Sequence, residues 1–257
     1  PQRPQWSHAV SKVQVRTADH PLRRVILPAA ALSLGAAFVV GATGASAQDS
    51  IDGTWVLDPS IGSFDDFSNS WVGFRVAEVL DPGGEVEAVG RTPAVTGQLE
   101  ASGTVIDAMT IEADLTAIRS DRSRRDPAIQ RALGTGDFPT ATFVSSQSVD
   151  LGVVPVEEPF TASVPGMLTI RDVEQAVTID LVGRRVGDTV AVVGALPVDF
   201  TSFGVTMPTA PIVVSVQDSG DLEWQLFFTR DSGMADDEMA DEEVAEGEMA
   251  EDETAED

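Results

Sequence analysis

The chain has 257 residues with 16 basic and 42 acidic side chains, a formal charge of −26. That length holds one substantial domain or two small ones, and that charge excludes nucleic acid and anionic headgroups as broad-surface partners. Cysteine is absent, which removes disulfides, thiolate metal sites and cysteine nucleophiles.

Residues 1–22 are polar and carry Arg3, Lys12 and Arg16; Arg23 and Arg24 then abut the apolar run 25–40, VILPAAALSLGAAFVV. Ala45-Ser46-Ala47 follows as an A-x-A cleavage site, so residues 1–47 are expected to be a signal peptide with a polar n-region, cut before Gln48. Left uncleaved, the run would be an N-terminal membrane anchor, but its strongly apolar part falls short of the ~20 residues a span needs. Leu22-Arg23-Arg24 matches a twin-arginine signal only in part. The histidines, His8 and His20, and the single lysine, Lys12, all lie in this segment. The mature chain is therefore expected to have no imidazole for a Ser-His-Asp triad, for zinc or for general base chemistry, and no amine for a Schiff base.

From Gly53 onward the pattern has period two. Val72, Phe74 and Val76 flank Arg75; Met109, Ile111, Ala113 and Leu115 alternate with Thr110, Glu112 and Asp114. Each set reads as a strand with an apolar face inward and a polar face in water. After these comes the one interruption, an arginine-rich stretch containing Arg124, Arg125, Asp126 and Pro127. Asp126 is expected to cap a helix opened by Pro127. That helix, AIQRAL, ends near Leu133 because Gly134 and Gly136 follow and Phe138-Pro139 forces an extended exit.

Strands are expected again over 140–149, around Leu168 and Ile170, at Val177, Ile179 and Leu181, over 190–198 and 212–216, and at Leu222, Trp224, Leu226 and Phe228; residues 95–101 form an earlier one. Turn signals stand at Asp81-Pro82-Gly83-Gly84, Ala101-Ser102-Gly103, Gly187-Asp188 and Ser219-Gly220-Asp221. Eight or more short antiparallel strands with one short helix make an all-β barrel or sandwich, and periodicity does not choose between them. From residue 231 the chain changes to a five-residue repeat with 14 acidic and no basic residues. A step of five turns ~140° around a helix, so its apolar positions never form one face. Residues 231–257 are expected to be a disordered, solvating tail, and a repeat of this kind offers calcium no fixed ligand geometry.

Three blocks in this order carry a family resemblance: Arg125-Asp126 with Asp137-Phe138-Pro139 and Thr142-Phe143; Gly166-Met167-Leu168-Thr169-Ile170; and Phe203-Gly204. Between residues 53 and 230 the chain resembles the YceI family of secreted lipid-binding β-barrels. It departs from that pattern after Ile170, where Asp172, Val173, Glu174 and Gln175 replace a small basic turn. The resemblance implies an antiparallel, lipocalin-like barrel of about eight strands over residues 48–230, with the helix near one end. It also implies a cavity holding a long isoprenoid or fatty chain.

Carboxylates are the remaining candidates for catalysis, yet they alternate with apolar residues as a solvated strand face does, and no pair has a reason for a raised pKa. No catalytic residue, cofactor or stable metal is therefore assigned, and the chain is read as a non-enzyme. Phe74, Ile111, Phe143, Leu168, Ile170, Ile179 and Trp224 face inward and either fill a core or line a cavity, since eight strands close a barrel just wide enough for side chains or one small ligand. Arg125 and Asp126, beside Arg124, are either a headgroup clamp using bidentate guanidinium geometry or a structural tie at the helix start. The reading adopted is an extracytoplasmic carrier of a long-chain apolar lipid, secreted, periplasmic or at the cell surface. The alternative is a filled structural or stress-protective module that docks a protein partner through Val-rich strands such as 190–193. A homodimer is left open.

Overall fold

The computed structural model describes residues 50–155 and 157–231; the expected signal segment and the acidic tail beyond Asp231 lie outside them. In chain order the elements are β1 (Gly53–Leu57), β2 (Trp71–Leu80), β3 (Gly84–Thr92), β4 (Val95–Ser102), β5 (Val105–Asp114), β6 (Arg119–Ser120), α1 (Asp126–Leu133), β7 (Thr140–Ser145), β8 (Val149–Asp150), β9 (Pro159–Ile170), β10 (Val173–Val186), β11 (Thr189–Asp199), β12 (Val213–Val216) and β13 (Ser219–Arg230). Eight of these strands run β1-β4-β5-β7-β9-β10-β11-β13, every pair antiparallel, and β1 pairs back onto β13 through Leu57 and Phe228. The barrel is closed.

Closure happens on half of β13 only. Its last residues, Phe228 to Arg230, pair with β1, while Asp221 to Gln225 pair with Arg75 to Trp71 of β2. At the point of exchange the Phe227 amide donates to the Ser70 hydroxyl at 2.9 Å, which satisfies a donor that neither strand reaches. Strand β2 continues outward, carrying β3 on one edge and β12 beyond β13 on the other, with β6 on β3. One end of the barrel is thereby flared, and α1 lies at that end, with Ile129 buried.

Alternation behaves as period two requires. On β5, Met109, Ile111 and Ala113 are buried and Thr110 and Glu112 exposed. The expected strand over 140–149 is instead two, because the β5 ladder breaks at Met109, whose amide donates to the Ser145 hydroxyl oxygen at 2.9 Å; below the break β5 pairs with β8. Ser219-Gly220-Asp221 is likewise strand, not turn. A Cβ on Gly220 would sit 2.3 Å from the Arg75 carbonyl, so glycine is there for close strand approach. The turn after Ile170 is Arg171-Asp172, both left-handed at φ 54° and 59°, as a two-residue hairpin demands; Val173 to Gln175 already pair with β9.

The apolar outer face at 190–193 is covered by the chain itself. Ala191 and its cross-strand partner Phe227 are buried, and the segment between β1 and β2 is tied down beside them. There Gln225 donates to the carbonyls of Phe67 at 2.9 Å and Asn69 at 2.8 Å, and the Asp58 amide donates to Phe227 at 3.0 Å.

Candidate functional site

Inside the barrel, the end around Trp55, Leu99, Met109 and Phe228 is closely packed and leaves a void of only about 20 Å³. Above it lies a cavity of about 140 Å³, where a single buried water needs only ~10–15 Å³. Phe74, Ile111, Phe143, Leu168, Ile170, Ile179 and Trp224 all line it. They come from β2, β5, β7, β9, β10 and β13, one or two from each, because each strand turns alternate residues toward the axis. Phe74, Ile179, Leu222 and Trp224 point inward yet stay only part-buried, which is what facing an empty lumen does to a core position.

The lumen is open because several of its aromatic rings lie against the wall instead of across it. Phe74 rests on Gly90, Phe143 on Gly166 and Trp224 on Gly194, and a Cβ at those glycines would come within 2.5, 2.5 and 2.2 Å of the respective ring. Gly90 and Gly194 are the direct cross-strand partners of Phe74 and Trp224. Each glycine thus gives its neighbour's ring the space a side chain would take.

A second cavity, of about 240 Å³, lies at the flared end between β2, α1 and residues 205–216. Val76, Leu80, Ile129, Ala132, Val205, Met207 and Val213 make it apolar, and Arg122, Arg124 and Ala210, all exposed, bring it to the surface. Phe74, Leu133 and Phe200 stand in the walls of both cavities. Residues 205–211 carry no periodicity and nothing local marks them, and the strand expected over 212–216 gives no sign of its place in this wall. The helix could have been assigned to this site, since Ile129, Ala132 and Leu133 stand at i, i+3 and i+4.

Arg125 borders this second cavity and not the first, and Asp126 lines neither. One terminal nitrogen of Arg125 donates to the buried Glu78 and the other to Asp121 at 2.7 Å, so both arms of the guanidinium are engaged by protein carboxylates. Asp126 does not cap the helix. The chain enters α1 through a tight 3-10 turn, Ser123–Arg125, which leaves Asp126 already helical at φ −52°, ψ −45°, whereas a capping residue is extended. Its carboxylate turns back to accept the Ser120 amide at 2.9 Å and the Ser120 hydroxyl at 2.5 Å. Among the described residues no group of three His, Cys, Asp or Glu could hold a metal ion.

Two solved structures share this architecture. A polyisoprenoid binding domain from Saccharophagus degradans implicated in plant cell wall breakdown matches with TM-score 0.54 at 13% identity, over 69% of this chain and 98% of that one. BcnA of Burkholderia cenocepacia matches with TM-score 0.51 at 19% identity, over 66% of this chain and 98% of that one. No curated protein sequence matches the chain. The sequence model of the YceI-like domain matches residues 55–228, and the chain belongs to the YceI family.

Proposed function

We propose that this protein is an extracytoplasmic carrier that holds the hydrocarbon of a long isoprenoid-type lipid inside its barrel and performs no chemistry on it. The observation that carries this is the lumen itself: an unfilled cavity walled by Phe74, Ile111, Phe143, Leu168, Ile170, Ile179 and Trp224. Empty apolar space in a close-packed fold costs stability, and apolar walls with a few polar groups at one mouth are what a lipid-sized ligand needs. The relative from Saccharophagus degradans, a polyisoprenoid binding domain, supports the ligand class. The run 25–40 and the Ala45-Ser46-Ala47 site support export.

Arg122 and Arg124 at the surface of the second cavity orient the lipid with its polar end outward. Arg125, engaged by Glu78 and Asp121, serves as a structural tie. Protein purified from its native host, extracted with organic solvent and examined by mass spectrometry, is expected to release one isoprenoid lipid in near-stoichiometric amount. Ligand-free protein from repeated preparations that also fails to bind added prenols overturns the reading.

A further inference from the structure

We infer that Phe74, seated on Gly90 and facing Phe200, sets the length of hydrocarbon the barrel retains. This rests on the lipid-holding reading. Neither cavity alone, at about 140 and 240 Å³, reaches the ~300 Å³ at which ligand pockets begin, and together they exceed it. A long chain therefore has to fill both, whereas a short one needs little room beyond the outer cavity. The boundary between them, through which the long chain has to pass, is formed by the residues the two cavities share, Phe74, Leu133 and Phe200.

The two rings of this passage are held differently. Phe200 is buried and its backbone is fixed at both ends: its amide donates to the Asp218 carbonyl at 2.9 Å and its carbonyl accepts the Val205 amide at 3.2 Å. Phe74 is only part-buried, meets Phe200 edge to face with centroids 6.3 Å apart, and lies back on the bare backbone of Gly90, 2.5 Å from where a Cβ would stand. It already occupies the wall side of the passage. A methyl group at position 90 has to push the ring toward Phe200 and narrow the gap, and a smaller side chain at position 74 has to widen it. The two changes act in opposite directions on one dimension.

The experiment uses the full chain, unchanged and as Phe74→Leu, Phe200→Leu and Gly90→Ala, loaded in competition with farnesol, geranylgeraniol and solanesol. Bound prenol is quantified by native mass spectrometry, and far-UV circular dichroism checks the fold. Phe74→Leu and Phe200→Leu are expected to raise the bound ratio of solanesol to farnesol several-fold, and Gly90→Ala to lower it several-fold. Should Gly90→Ala fail to fold, the two leucine variants decide alone. Prenols that bind the parent and both leucine variants in the same ratio overturn the inference and leave the carrier reading standing. A parent that binds none of the three prenols removes the carrier reading and this inference with it.

Discussion

The guanidinium of Arg171 donates to the carbonyl of Gly204, and a second contact from the same nitrogen reaches the Ala132 carbonyl at 3.1 Å, while its carbon lies 5.6 Å from the centre of the Phe138 ring. Arg171 directly follows Gly166-Met167-Leu168-Thr169-Ile170, Ala132 stands in the last turn of the helix, Phe138 belongs to Asp137-Phe138-Pro139 and Gly204 to Phe203-Gly204. The three sequence blocks that mark the family thus meet around one side chain. A cation there satisfies helix-terminal carbonyls and faces the negative end of the helix dipole.

Arg171→Met is expected to lower unfolding stability by about 2–4 kcal/mol in urea titration, since two hydrogen bonds from a charged donor and a ring contact are lost together. Arg171→Lys should recover less than half of that, because an ammonium has no planar face to lay over the Phe138 ring while it donates to the carbonyls. A methionine variant as stable as the parent would reduce Arg171 to an incidental surface contact.

Gly194→Ala places a methyl carbon 2.2 Å from Cζ2 of Trp224, and the ring has to leave the wall for the lumen. Overpacking of this kind costs about 1–3 kcal/mol. The near-UV circular dichroism of Trp224 should change with it. In a Trp224→Leu background the same alanine is expected to cost distinctly less, the remainder coming from the Asp180 carbonyl, which a Cβ at position 194 would meet at 2.6 Å; an equal loss in both backgrounds would mean that the strand backbone, not the ring, objects.

Most of the barrel was legible because period-two alternation is a local property. Leu222 to Phe228 and Met109 to Ala113 announce their inward faces by residue type. Strand β3 hides its face, since its inward positions are the small residues Ala88, Gly90 and Thr92, with Phe74 lying across Gly90. The seven lumen residues followed from alternation. The second cavity did not, because β2, α1 and residues 205–216 are brought together only by the fold. Asp126 was misplaced as a cap because a preceding 3-10 turn, which no side-chain pattern marks, had already started the helical path.

Glu78 is buried on the inward face of β2, with 5% of its side chain exposed against 16% for Arg125. Removing one member of such a pair strands a charge and costs about 3–5 kcal/mol. Arg125→Met is therefore expected to lower the melting temperature markedly, and Glu78→Leu with Arg125→Met to restore much of it. Prenol binding by the stable double variant should match the parent. If it is lost, Arg125 holds the ligand's polar end and is not only a tie.

Asp199 accepts the Thr201 hydroxyl at 2.6 Å and the Thr201 amide at 2.9 Å at the start of the turn that fixes Phe200. The hydroxyl first, then the amide, hold its carboxyl below the ordinary carboxylate range. A folded-state pKa below the unfolded value of about 3.9 means the contribution is fully present above that pH and is lost as pH falls through the folded value. Asp199→Asn keeps an acceptor for the same amide, so at pH 7 its melting temperature should stay near that of the parent. Below about pH 4 the parent should lose stability more steeply than the asparagine variant, with Asp52 and Asp150, also lowered, contributing equally to both. Parallel acid profiles for the two proteins would show that this carboxylate, though well placed on the turn, does not couple its ionisation to the fold.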